Sequence, residues 1–424
     1  MTTTVTLPRV LHAAMGRPLS LREHEETFTA MPATGALLEE LEASGLTGRG
    51  GAGFATSKKV ELLRNLRGHN KVVVVNAMEG EPVGHKDRTL LSTNPHLVLD
   101  GAQALASLIG ARRINVCVSR KESTIIHNVQ RAMHERELRG TGPTFELHTP
   151  PWRYVAGEES ALVHWLNDNE SMPQYRPTRP NILHVGRAPA LVVNAETNAH
   201  VGLISRYGAQ WFREVGTQES PGTTLVAISG AVNRPVVLEV ALGTPLRTLL
   251  RDAGADPDPQ ALLLGGYGGA WFSSELLDTA YCIEALRPLG GTVGAGILVV
   301  LPKGACGLSE THRIVEWMAN ESARQCGPCA FGLPAIAKDL GTLLRGSRDP
   351  LAVFDRLKER CGVIEGRGAC RHPDGVVRLV KSALQVFRRD IEGHVNGVSC
   401  AAAATSRQWV AVPAIEHESD LVWE

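Results

Sequence analysis

Apolar residues recur along this chain in two rhythms. In 35–43 (GALLEELEA) they fall at helical spacing, and Gly45 follows as a stop suited to the left-handed turn that ends a helix. A glycine-dense loop occupies 48–53, after which a helix is predicted to open near Thr56. KVVVVNA (71–77) is an unbroken apolar run of strand length, closed by the acidic turn MEGEP. The spacing then predicts a helix over 96–109, a strand over 113–119, a helix over 121–137 and a strand over 144–149. A further helix opens at Glu158 or Glu159. Strands alternating with helices of this length imply an α/β fold, a parallel sheet covered on both faces.

The pattern changes near residue 220. TTLVAISGAVNRPVVLEV predicts two strands joined by a turn at Asn233-Arg234-Pro235, and the amphipathic TPLRTLLRDAG and the strand ALLLGG complete a compact α+β unit. Beyond about 305 the pattern is nearly all helical. In 374–391, Val377, Val380, Ala383, Leu384, Phe387 and Ile391 fall on one face, as in a bundle helix. These shifts divide the chain into an extension (1–34), an α/β domain (35–220), the α+β unit (221–303), a helical bundle (304–400) and a tail (401–424) without clear period.

Composition narrows the classes of function. Lys+Arg and Asp+Glu both number 44, so no global field draws the chain to nucleic acid or to an anionic membrane. No apolar stretch is long enough to cross a bilayer, and the first residues lack the apolar core of a secretory signal. The chain is therefore expected in the cytoplasm, not as an integral membrane protein, though a peripheral place in a membrane complex is compatible with it. There its eight cysteines stay reduced, and their spacing bears on metal binding rather than disulfides. Cys117 and Cys282 lie in apolar runs and fit a core. Cys326, Cys329 and Cys370, with Cys361 as an outsider, suit a metal site.

Gly48-Arg49-Gly50-Gly51-Ala52-Gly53 satisfies G-x-G-x-x-G, but a helix precedes it where a dinucleotide fingerprint needs a strand. Its four glycines still allow backbone N–H groups to converge and keep side chains away from a flat or phosphorylated ligand. The helix beginning near Thr56 adds a dipole, with Lys58 or Lys59 as countercharge. Asn76, Glu79 and Glu81 follow the strand 71–77, where parallel sheets open their ligand crevice, and Gly157-Glu158-Glu159 stands at a second loop-to-helix junction. Carboxylates there can accept hydrogen bonds from ribose hydroxyls; equally, they can serve as solvated helix starts.

Together these residues resemble the NADH- and FMN-binding subunit of respiratory complex I and its relatives in soluble hydrogenases and formate dehydrogenases. The resemblance runs from about residue 35 to 395 and keeps the family's order: GRGGAGF (48–54), NAMEGEP (76–82) with Lys86-Asp87-Arg88, GEESAL (157–162), NAET (194–197), and QCGPC (325–329) with Cys370. It implies a Rossmann-like FMN domain, a ubiquitin-like (SLBB-type) domain and a helical bundle carrying an iron–sulfur site. By it, FMN would lie along Gly48, Arg49, Gly50, Gly51 and Gly53, with polar contacts from Lys59, Asn76 and Asn194. NADH would stack near Phe54, with Glu79, Glu81, Glu158 and Glu159 lining its site, Glu159 near the adenosine ribose and so favouring NADH over NADPH. Cys326, Cys329 and Cys370 would hold the cluster. The implied activity is that of an NADH dehydrogenase, with electrons passing singly to a ferredoxin-like or multi-subunit iron–sulfur partner.

The departures are equally specific. Ala323 stands where the family has the first cluster cysteine, which leaves three readings: a 4Fe-4S cluster with a non-cysteine or relocated ligand, a 3Fe-4S cluster, or none. The first is preferred to the second, and Cys361 and His372 are the nearest substitutes by sequence. Leu62 and Met78 replace the family's phenylalanine and aspartate, and Arg176-Pro177-Thr178-Arg179 replaces its K-P-P-F. Two alternatives accompany the main reading: a ferredoxin-driven reductase running in reverse, and a non-catalytic assembly subunit.

Overall fold

Val72, Val73, Val74 and Val75 are all buried, because helices cover both faces of their strand; each fully buried valine contributes roughly 1.5–3 kcal/mol. The structure, a computed structural model, describes residues 9–11, 17–31, 35–68, 70–140, 142–175, 182–396, 408–415 and 423. The valine strand is β1 (Lys71–Ala77), followed by β2 (Ala111–Val118), β3 (Thr144–His148), β4 (Leu183–Val185) and β5 (Ala188–Asn194). They form one sheet in the order β3-β2-β1-β5-β4, parallel except for the edge strand β4. Helices Pro95–Ile109 and Ala195–Phe212 pack closely on one face. At Gly101 their backbones approach so far that a Cβ would overlap the Asn198 carbonyl.

The second sheet contains β6 (Thr223–Gly230), β7 (Val236–Ala241), β8 (Ala261–Leu264), β9 (Ala270–Ser273) and β10 (Ile297–Leu301), ordered β7-β6-β10-β8-β9. Its two-residue alternation divides the apolar side chains. Leu262, Leu264, Leu298 and Val300 pack with helix Leu246–Asp252, while Ala261, Leu263, Val299 and Leu301 join the core of the helical region. That helical region is built from Gly307–Asn320, Leu333–Arg345, Pro350–Ile364, His372–Val386 and Arg388–Val395.

The spacing predicts one helix over 374–391, and the structure corrects this to two. The break falls at Phe387 (φ −99°, ψ 33°), whose ring is buried 5.0 Å from Trp271. Beyond the break Asp390 accepts the Gly307 N–H at 2.9 Å. The apolar stripe continues through the break, so spacing alone carries no sign of it.

Two segments without a clear sequence pattern are firmly seated. Helix Leu21–Phe28 starts with a reciprocal Ser20–Glu23 capping box. Its His24 meets the buried Asp100, which also pairs with Arg136 and Arg206. In the tail, Val410 is buried in the bundle core. The buried Glu310 accepts the N–H groups of Trp409 (3.0 Å) and Val410 (3.3 Å), and the Tyr267 hydroxyl donates to the Ala411 carbonyl. Cys117 and Cys282 are core residues, as expected.

Candidate functional site

Strand order reverses at β1. The chain leaves it to build β2 and β3 on one side and returns to build β5 on the other, so a crevice opens at the carboxyl ends of β1 and β5. Asn194 ends β5, and Asn76, one residue before the end of β1, faces it in register. The Asn76 amide donates to the Gly157 carbonyl (2.9 Å), and its oxygen accepts the Met78 N–H (3.1 Å). Asn194 caps helix Ala195–Phe212 by accepting the Glu196 N–H (3.0 Å) and donates to Asp87 (2.6 Å).

The glycine loop closes over this crevice. Gly48 N–H donates to the Phe54 carbonyl (2.8 Å), and Thr47 pairs with Ala55. Gly51 (φ +105°) and Gly53 (φ +62°) require glycine, and a Cβ on Gly50 would stand 3.3 Å from Asn194 Cβ. Arg49 fastens the loop through both its backbone and its side chain. Its N–H is taken by Thr197 Oγ1 (2.8 Å), and its buried guanidinium donates to Thr47 Oγ1 (2.8 Å) and the Thr223 carbonyl (3.1 Å), fastening the loop to the second sheet. Phe54 is 56% exposed, an apolar ring left free to stack. The following helix is Thr56–Arg64, and among the described residues its buried Thr56 hydroxyl finds no hydrogen-bond partner. Lys59 forms an ion pair with Glu159, drawing two helices together, whereas Lys58 turns outward to Glu61 (3.5 Å).

The acids have separate environments. Glu79 caps helix Lys86–Thr93, accepting from Asp87 N–H (3.3 Å) and Arg88 N–H (3.1 Å); burial, then Asp87, raises its pKa to about 7. Glu81 accepts from the Tyr154 hydroxyl (3.1 Å) and the Tyr267 N–H (3.0 Å), and burial raises its pKa to about 7. Gly266 (φ +82°) clears the space for this carboxylate, since a Cβ there would collide with it. Glu158 caps helix Glu159–Asp168, accepting from Ser160 N–H (2.8 Å) and Ala161 N–H (3.1 Å). The arginine segment 176–179 lies outside the described residues.

Beneath the loop lies a latch that sequence reasoning missed. The buried Glu196 carboxylate pairs with Lys86 (2.9 Å), lies 3.9 Å from Arg49, and accepts from Thr224 Oγ1 (3.0 Å) and Leu225 N–H (2.9 Å). Burial opposes its ionisation, but Lys86 and then His200 and Arg49 outweigh this and hold its pKa near 2. The motifs KDR and NAET contain Lys86 and Glu196, yet nothing in their sequence signals that they pair.

The thiols gather elsewhere. Among the described residues no group of three His, Cys, Asp or Glu is tight enough to hold a single metal ion. A cluster spreads its thiolates over several irons and asks for a wider set. Cys329 is buried, and Cys326 and Cys370 are half-buried. Burial, then Cys326 and Cys370, push the Cys329 thiol well above its ordinary range. Burial raises Cys370 to about 11, with Glu158 and Cys326 adding to it. Cys361 responds instead to burial, Lys381 and Glu365, which sets it apart from the other three. Three soft ligands that oppose one another's ionisation fit a cationic iron–sulfur group. The glycine loop, with the Thr56 hydroxyl unpartnered among the described residues and Phe54 exposed, fits a flavin nucleotide.

A nucleotide crevice in an open sheet, joined to a separate thiol pocket in a helical bundle, defines the class: a two-centre redox protein. Residues 41–203 match the Nuo51 FMN-binding domain family, and residues 309–394 match the NADH-ubiquinone oxidoreductase-F iron–sulfur binding region. The chain belongs to the family of the F subunits of NADH-quinone oxidoreductase. It is 31% identical over 376 residues to the F subunit of that enzyme from Escherichia coli (strain K12), covering 85% of this chain and 84% of that one. It is 29% identical over 378 residues to the second F subunit of Rhizobium meliloti (strain 1021), covering 86% and 90%. Among solved structures it resembles an NAD+-reducing NiFe hydrogenase in the air-oxidised state, with TM-score 0.80 and 26% identity over 91% of this chain and 68% of that one. Against the H2-reduced state the TM-score is 0.78, and the chain spans 63% of the hydrogenase chain. Among the described residues no helix is long and apolar enough to cross a membrane.

Proposed function

We propose that this chain oxidises NADH at the crevice and delivers the electrons singly, through the thiol pocket, to an iron–sulfur partner that is ferredoxin-like or a subunit of a larger complex. One observation carries the reading: the Gly157-Glu158 junction borders both centres. Gly157 accepts from Asn76 at the crevice, while Glu158 lies close enough to Cys370 to influence its ionisation. When bound, FMN accepts hydride and gives up electrons one at a time, which a cluster can take. The protein's part is positioning. Gly48, Gly50, Gly51 and Gly53 offer backbone approach, Asn76 and Asn194 offer amides at the strand ends, and Phe54 offers a stacking face for the nicotinamide substrate. Lys59 and Glu159 together set the polar wall, and the Glu159 carboxylate favours NADH over its phosphorylated form by charge repulsion. Glu81, held by Tyr154 and Tyr267, keeps a carboxyl group whose pKa burial raises to about 7. Cys326, Cys329 and Cys370 would hold the cluster.

The test is anaerobic reconstitution with FMN, iron and sulfide, followed by titration with NADH. Bleaching of the flavin absorbance together with the appearance of a reduced-cluster paramagnetic signal is expected. Bleaching alone would mean that electrons leave from the flavin, and neither change would leave an assembly role.

A further inference from the structure

Three parts of the molecule meet at Arg153 and Tyr154. The crevice turn rests on them: a Cβ on Gly80 would stand 2.9 Å from the Arg153 carbonyl oxygen and 2.8 Å from that of Tyr154, closer than a side chain allows. The turn after helix Gly307–Asn320 is bonded to the same two residues. Its Glu321, 2% exposed, takes the Arg153 guanidinium on one carboxylate oxygen (3.1 Å) and the Tyr154 N–H on the other (3.0 Å). The third part is the tail, where the Trp423 ring lies against the buried Arg153 guanidinium, 4.9 Å from the ring centre. A desolvated cation is held on an aromatic face more firmly than an exposed one. The Trp423 carbonyl also accepts the N–H of the buried Ser171 at 2.8 Å. The next residue, Met172, offers its sulfur to the side-chain amide of Gln325 at 3.6 Å. The turn 321–326 is thus gripped at Glu321 through Arg153 and at Gln325 through Met172. Trp423 backs the first grip with its ring and the second with its carbonyl. This turn bears Cys326, and in it Ala323 stands where the family has its first cluster cysteine. A cysteine at 323 would let the metal hold the turn; with alanine there, contacts within the protein hold it.

We propose that Trp423 is a positioning residue for electron transfer: by backing both grips it fixes the turn 321–326, and with it the Cys326 thiol, against the wall of the crevice. The electron-transfer half rests on the cluster reading above; the clamp itself does not. The experiment compares the wild-type chain with Trp423→Phe and Trp423→Ala. In iron-free protein kept reduced, peptide mass spectrometry reads the rate at which iodoacetamide alkylates each cysteine. Cys326 should react about tenfold faster in Trp423→Ala, because the turn opens locally once the ring is gone. Cys361 should be unchanged, and Trp423→Phe, which keeps an aromatic face for Arg153, should stay close to wild type. After anaerobic reconstitution, NADH should bleach the flavin of Trp423→Ala at the wild-type rate. Reduction of its cluster, followed by the paramagnetic signal, should slow about tenfold or more as Cys326 leaves its place. Equal Cys326 rates in wild type and Trp423→Ala would overturn the clamp. So would a matching rise at Cys361, which marks general loosening, or a Trp423→Phe variant as reactive as Trp423→Ala. An unaltered rate of cluster reduction in a variant whose Cys326 reacts faster would overturn the positioning role. Wild type without iron after reconstitution would sink the cluster reading instead, and the alkylation rates would still decide the clamp.

Discussion

At the crevice Asn194, Lys86, Asp87 and Glu196 pair with one another, whereas in the thiol pocket the side chains oppose one another. Asn76, Asn194, Lys86, Asp87, Arg49 and Glu196 are joined by hydrogen bonds and ion pairs, so the frame that would receive a nucleotide stands without it. Burial and mutual repulsion hold the Cys329 and Cys370 thiols protonated. One site is preorganised by the protein, and the other is completed only by what it binds, so metal binding there is also folding free energy.

Four experiments put that contrast at risk. The largest effect is expected for Cys329→Ser: iron content should fall to less than about a tenth, the stability gained on loading should vanish, and flavin content should stay unchanged. Parallel loss of flavin would show that the two sites are not independent. Next comes Glu196→Ala, which leaves Lys86 buried without its partner. A destabilisation of about 3–5 kcal/mol, equal in iron-free and iron-loaded protein, should appear in thermal or urea unfolding. An effect confined to the loaded form would contradict the preorganised frame.

Gly50→Val should weaken flavin retention by about tenfold or more, about 1.4 kcal/mol, in a protein that stays folded. A Cβ alone reaches 3.3 Å from Asn194 Cβ, and the branch needs more room. Normal flavin content in a folded variant would remove this loop from the site. The smallest effect concerns pH. The folded protein holds the pKa of Glu81 at about 7, above its ordinary value of 4.5. A raised pKa contributes stability that is fully present below the ordinary value and is lost as pH rises through the folded one. Apparent melting temperature should therefore decline between pH 5 and 8, and Glu81→Gln should flatten that decline. An identical slope in both proteins would assign the titration to another group.

Much of the crevice was legible in the sequence for local reasons. Four adjacent valines can only be a strand covered on both sides, Gly45 supplies the left-handed stop it suggests (φ +69°), and Glu158 caps the helix that its motif predicts. What was hidden depends on partners distant along the chain. Glu196 meets Lys86 across more than a hundred residues, Glu81 meets Tyr267 across 186, and Phe387 breaks a periodic helix to fill space beside Trp271. The glycine run 265–269 was a signal that could have been read, since Gly266 makes room for Glu81.

The tail segment 408–415 has a consequence for the order of events in the cell. Trp409 and Val410 bring the backbone donors that the buried Glu310 accepts, and Ala411 receives the Tyr267 hydroxyl. On the ribosome these residues emerge after every helix of the bundle. During synthesis there is therefore an interval in which the thiols have been made and the bundle has not yet been locked. In that interval the buried Glu310 lacks two of its backbone donors and the space taken by Val410 is unfilled, so the bundle core is complete only once the tail has docked.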